Sequence, residues 1–183
     1  MTTFEQLKKV MGSGSKEEKI RAIESLSNSG EPQTISMLVA ALDDGDIEVR
    51  GEAFSSLVLN ERDISPILID ALKSPSKNIR GYSALVLANR NDKNAIPNIA
   101  ELTNDESAMV RSCAVGALGY LRAAEALGAI RKCIEDPNVE VRKSAIKSAI
   151  DIGDKDLLSK LDKLSQVDDP EIRSLLVLAK NSL

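Results

Sequence analysis

Asp136-Pro137-Asn138-Val139-Glu140-Val141-Arg142-Lys143-Ser144-Ala145 decides the fold, because its frame is written more than once. Asp105 to Ala114 and Asp44 to Ala53 repeat it: a turn carboxylate, an apolar residue, Arg, and Ala three positions later. The apolar-basic pair recurs as Val49-Arg50, Ile79-Arg80, Val110-Arg111, Val141-Arg142 and Ile172-Arg173, with intervals of 30, 31, 31 and 31 residues. Lys19 stands 31 residues before Arg50 and keeps the charge. A fixed period of this length is the signature of a stacked repeat array.

The neighbouring columns agree. Three residues after the basic residue come Ala22, Ala53, Ser83, Ala114, Ala145 and Leu176; four after it come Ile23, Phe54, Ala84, Val115, Ile146 and Val177. Seven after it come Leu26, Leu57, Leu87, Leu118, Ala149 and Lys180. Offsets of this spacing lie on one face of a helix with 3.6 residues per turn. A second apolar set separates successive copies: Phe4-Leu7-Val10-Met11, Ile35-Leu38-Val39-Leu42, Ile64-Ile67-Leu68-Leu72, Ile96-Ile99-Leu102, Leu127-Ile130-Ile134 and Leu157-Leu158-Leu161-Leu164. The repeat is therefore a helical hairpin. Twelve helices in six pairs are predicted, at roughly 3–28, 31–59, 62–89, 93–121, 124–151 and 154–183, as one array. A lone hairpin cannot bury its apolar face, so the hairpins must stack.

Punctuation sharpens the boundaries. Pro32 opens a helix, where a missing N–H costs nothing. Pro75, Pro137 and Pro170 are placed in the turn before the Arg-bearing helix, and Pro66 and Pro97 inside the first helix, where they predict a kink. Asp44, Ser74, Asp105 and Asp136, six residues before Arg, are expected to accept from the N–H groups of a helix start. Glu18 and Lys180 stand in apolar columns of the end copies, which predicts water-facing terminal repeats and a complete array.

Composition excludes whole classes of chemistry. The chain has 183 residues and no His, which removes most metal sites, Ser-His and Cys-His pairs and a neutral-pH imidazole base. A net charge of -4 argues against a nucleic-acid binder. No uninterrupted apolar stretch approaches a membrane span, and the N-terminus lacks a secretory h-region. With only Cys113 and Cys133, no disulfide framework is expected. The expectation is a cytoplasmic, non-enzymatic protein with no cofactor, metal, nucleic acid or membrane.

The Asp-turn-Val-Arg-x-x-Ala runs at Asp44 to Ala53, Asp105 to Ala114 and Asp136 to Ala145 resemble the HEAT repeat, in the short variety named after phycobilisome lyases. The resemblance covers about Phe4 to Leu183. It implies a right-handed α-solenoid of about six two-helix HEAT-like repeats, with the Arg-bearing helices on the concave, partner-binding side. Similar repeats occur in scaffolds, in bilin lyase subunits and in deoxyhypusine hydroxylase. The hydroxylase holds iron with His-Glu motifs, which this His-free sequence cannot supply. A DNA-repair glycosylase of similar build needs a basic concave face, which is absent. Two functions remain: a scaffold or adaptor that binds another protein, or a bilin-lyase-type subunit or chaperone for a tetrapyrrole-bearing protein.

Each candidate site has a structural explanation beside it. The Arg column is read as a ladder, each guanidinium reaching a turn Asp of its own or the next repeat. Asp43-Asp44 and Asp168-Asp169 are read as solvated caps. Cys113, away from the core and without a His, is read as an inert thiol, and Cys133 as core. Along the expected partner-facing offsets, Glu48, Gly51, Glu52 and Ser55 are acidic, while Glu140, Lys143, Ser144 and Lys147 are mixed. Between them lie Asn78, Gly81, Tyr82 and Leu85, then Met109, Ser112, Cys113, Gly116 and Tyr120, uncharged and holding both tyrosines. Tyr82, Leu85, Met109, Cys113, Gly116 and Tyr120 are the candidate protein-binding residues. Gly81 and Gly116, which cost helix stability, are expected to mark close approach by a partner or a neighbouring helix. In the last helix, Leu175 and Leu178 fall at offsets that are polar or small elsewhere. Either they form an exposed patch for a weak homodimer, or the helix rotates and buries them.

Overall fold

The computed structural model describes residues 4–160 and 169–183. Among them all regular structure is helical. The protein divides into two compact units, Met1–Arg90 and Asn91–Leu183. The first holds three hairpins: α1 (Phe4–Ser13) with α2 (Lys16–Leu26), α3 (Pro32–Ala41) with α4 (Ile47–Leu59), and α5 (Ser65–Ala71) with α6 (Lys77–Asn89). The second pairs α7 (Ile96–Glu101) with α8 (Ala108–Tyr120) and α9 (Leu127–Cys133) with α10 (Val139–Ile152), and ends in α11 (Pro170–Ser182). Short 3-10 turns at Lys93–Ala95, Leu102–Asn104 and Ala124–Ala126 flank α7 and α9, and another covers Lys155–Lys160. Leu161 and Leu164, the end of the sixth apolar set, lie outside the described residues.

The repeated columns form the core. Val49, Ala53 and Leu57 of α4, Val110, Ala114, Val115 and Leu118 of α8, and Val141, Ala145, Ile146 and Ala149 of α10 are fully buried. The first helices contribute Ile35, Leu38, Leu42, Ile64, Leu68, Ile99 and Ile130. In the first unit α2 packs on α4 and α4 on α6; in the second α8 packs on α10 and α10 on α11. Helices as short as α5, α7 and α9 are marginal alone, so this packing holds them.

The helix starts correct the reading of the turns. The N-cap lies four residues before the basic residue in every copy: Ser15, Asp46, Ser76, Ser107, Asn138 and Asp169. The column two residues earlier does not cap the helix. It supports the cap, accepting from its N–H: Asp44 from Asp46, Ser74 from Ser76, Asp105 from Ser107 and Asp136 from Asn138. Glu18, exposed in an apolar column, closes a capping box by accepting from the Ser15 N–H at 2.7 Å. Pro66 and Pro97 kink nothing; both sit in the first positions of α5 and α7, where their missing N–H has no partner to lose. Pro170 likewise opens α11 rather than preceding it.

Two further expectations change. A Cβ on Gly116 would meet no atom within 4 Å, so no neighbouring helix approaches it closely; Gly81 is buried. The tight glycine is Gly119, whose Cβ would stand 2.6 Å from the Ser148 Cβ and 2.9 Å from its Cα on α10. In α11 the buried face is Ile172, Leu176 and Ala179, while Val177 and Lys180, in core columns elsewhere, face water. The helix is thus rotated. The rotation half-buries Leu175 but leaves Leu178 48% exposed.

Candidate functional site

Four arginines of the basic column share one contact and differ in another. Arg50, Arg80, Arg111 and Arg142 each donate through Nη1 to the carbonyls five and six residues back, at 2.7 to 3.3 Å. This clamp ties each helix to its own turn through backbone oxygen, not through the turn carboxylate. The carboxylate serves the preceding repeat. Arg111 Nε and Nη2 donate to both oxygens of Asp136 at 2.8 and 2.9 Å, and Lys19 Nζ reaches Asp44 at 2.7 Å. The Arg111 guanidinium holds the Asp136 carboxyl below the usual range. At Asp44 burial pushes upward, and the Lys19 hydrogen bond prevails to leave the carboxyl lowered. The ladder is structural, and between Lys19 and Asp44 and between Arg111 and Asp136 it runs to the next repeat.

The candidate binding residues separate by unit. In the first, Tyr82 and Leu85 of α6 come together with Ile47, Arg50, Gly51 and Phe54 of α4 around a cavity of about 280 Å³. Ile47 is 72% exposed, and a Cβ on Gly51 would meet nothing within 4 Å. Phe54, in a core column, is only half-buried. Sequence reasoning misses Ile47 and Phe54. The signal for Ile47 is its position, which α2 and α6 fill with Lys16 and Lys77.

In the second unit, Met109, Cys113 and Gly116 lie half-buried along α8, and Tyr120 at its end is exposed. Cys113 Sγ contacts Met109 Sδ at 3.6 Å, and burial pushes the thiol up to about 11. Few thiolates form there at neutral pH, so Cys113 is a poor nucleophile. It is not turned away from the fold, as its offset implies, but partly enclosed by it. Cys133 is buried and points its thiol at the Thr103 carbonyl. The basic pair expected on α10 is reduced, because Lys143 is held by Glu171, Glu140 and Asp169 and its ammonium is stabilised accordingly. Ser112 and Ser144 share a hydroxyl hydrogen bond at 2.8 Å. Among the described residues no group of acidic or thiol side chains is placed to hold a metal ion, and no helix is long and apolar enough to cross a membrane.

Known proteins place this architecture. The sequence is 31% identical over 137 residues to protein YibA of Escherichia coli K12, an alignment that spans 73% of this protein and 48% of that one. It therefore spans about half the length of the curated relatives it matches. Its fold is similar to that of one chain in the structure of the CpcE–CpcF complex of phycocyanin lyase from Nostoc sp. PCC7120, with a TM-score of 0.71, 20% identity, and coverage of 82% of this protein and 99% of the matched chain. A designed armadillo repeat protein in complex with the peptide (KR)4 matches with a TM-score of 0.59 and 22% identity, over 97% of this protein and 98% of the designed one. HEAT repeats match residues 65–127 and 102–179. With that match over more than half its length, and with the clamp and caps repeated from hairpin to hairpin, the chain belongs to the HEAT-repeat family.

Proposed function

We propose that this protein is a non-enzymatic scaffold or adaptor that binds another protein through the apolar groove between α4 and α6. The observation that carries the reading is the Ile47 side chain, left largely in water beside Phe54, Tyr82 and Leu85 around an open cavity. Aliphatic and aromatic residues around a concavity suit an inserted apolar side chain. Repeat folds of this kind take up peptides and proteins, as the designed armadillo protein does with (KR)4 and as CpcE and CpcF do with each other. Both thiols are free, which suits a reducing compartment. A weak homodimer through the exposed Val177 and Leu178 of α11 belongs to the same reading.

Affinity capture from the host with mass spectrometry, repeated with Ile47→Ser and Tyr82→Ala combined, tests the groove. Truncating paired anchors costs on the order of 2 kcal/mol or more, so capture should fall about thirtyfold while helicity stays unchanged. Equal capture by the double variant places the binding surface elsewhere. A visible absorbance change on mixing the purified protein with a bilin would displace the scaffold reading.

A further inference from the structure

Arg50 and Arg142 both keep an Nε buried without an acceptor, and of the two it is Arg50 that lines the groove. Its Nη1 makes the usual clamp to the carbonyls of Asp44 and Gly45. Its Nε is buried without an acceptor, and its remaining donors meet none among the described residues. In Arg111 the same edge grips Asp136 of the next turn. The matching turn position for Arg50 is Ser74, whose hydroxyl accepts from Ser76 just as Asp136 accepts from Asn138. Serine keeps the cap support and removes the carboxylate. Nearby charges offer no replacement: Asp44 is committed to Lys19 and to the Asp46 N–H, and Glu48 to Lys16. Arg50 lines the apolar cavity with part of its guanidinium unpaired, and a guanidinium matches a carboxylate with parallel N–H donors.

We infer that Arg50 reads a carboxylate of the partner, so that the groove takes a peptide segment with a bulky apolar residue next to Asp, Glu or a free C-terminal carboxylate. This rests on the groove reading above. It adds a requirement that an apolar groove alone does not impose.

Selection of displayed random peptides on the purified protein tests it, with Ser74→Asp as the decisive variant. In Ser74→Asp an internal carboxylate occupies the Arg50 edge, as Asp136 does for Arg111. The wild type should enrich peptides in which an acidic residue or free C-terminus adjoins Leu, Ile, Phe or Met. Those peptides should bind Ser74→Asp at least about tenfold more weakly, while its melting temperature rises by about 2–4 °C. Arg50→Gln, which keeps a donor for the turn carbonyls, should show the same loss and guards against a misfolded Ser74→Asp. Enriched peptides that are apolar without an acidic group, that carry Lys or Arg instead, or that bind both variants as tightly as the wild type, overturn the carboxylate requirement and leave the groove standing. Failure to enrich any peptide that competes at the groove overturns both.

Discussion

Arg50 of the first unit and Arg111 of the second occupy one column, make the same two carbonyl bonds, and differ in a single acceptor. Asp136 completes Arg111, and Ser74 leaves Arg50 incomplete. The carbonyl clamp is therefore the part shared by Arg50, Arg80, Arg111 and Arg142, because it fixes each helix to its own turn. The carboxylate is optional, because it joins one repeat to the next, and the sequence replaces it at Ser74 and Val167. An omission costs stability, and that makes it informative about binding.

The largest expected effect breaks this comparison directly. Arg111→Ala removes a clamp and a mostly buried pair and leaves Asp136 without its partner, a loss of about 2–3 kcal/mol. Arg50→Ala removes a clamp alone and should cost about 1 kcal/mol. Chemical melts of the two variants check it, and equal losses would refute the division into constant and optional contacts. The pH dependence separates them further. Asp136 is held low by Arg111, so the pair contributes above the unfolded carboxylate value, near pH 4. That contribution disappears as pH falls through the lowered folded value. The gap between wild type and Arg111→Ala should therefore narrow in acid to about that of Arg50→Ala, whose own gap should not change.

A second comparison lies within α8. Gly116 is the glycine that its column singles out, yet Gly119 is the one pressed against Ser148. Gly119→Ala drives a Cβ into the side chain and backbone of α10 and should cost about 2 kcal/mol. Gly116→Ala meets open space in a helix interior and should gain up to about 1 kcal/mol. Opposite signs in thermal melts are the expected result, and a destabilised Gly116→Ala would restore the close-approach reading.

These cases show where legibility in the sequence ends. The apolar columns are readable because burial acts on one residue type at a fixed period, and Val110, Ala114 and Leu118 are buried as their offsets require. The caps fall two residues away from the expected column because Asp44 and Asp46 are both good cap residues, and only geometry shows which one receives the helix N–H. The rotation of α11 is open in the sequence because Leu175 to Leu178 offers apolar residues to more than one face. The groove is half readable. Tyr82 and Leu85 stand out as uncharged among charged neighbours, but Phe54 hides in a core column, and whether a core residue reaches the surface depends on the spacing of α4 and α6.

The smallest effect concerns the ends of the Arg-bearing helices. Asn91, Arg122 and Gly153 are spaced at the repeat period and all adopt left-handed backbone, with φ of 55°, 51° and 86°. After α8 and α10 the backbone turns back in the same way: the next residue's N–H returns to the helix, Ala123 to the Leu118 carbonyl and Asp154 to that of Ala149. Such a cap favours glycine, since a side chain there costs on the order of 1 kcal/mol. Arg122 bears that cost, and its side chain is exposed with no ion pair among the described residues. Arg122→Gly removes the strain, but it also loosens the unfolded state, which returns a few tenths to about 1 kcal/mol. The net gain should be about 0.5 kcal/mol, a rise of about 1–2 °C in melting temperature. Gly153→Ala runs the comparison backwards. A Cβ there meets no atom within 4 Å, so its loss of about 1 kcal/mol is backbone strain alone. A lower melting temperature for Arg122→Gly would show that the arginine side chain stabilises its turn by more than the strain it imposes.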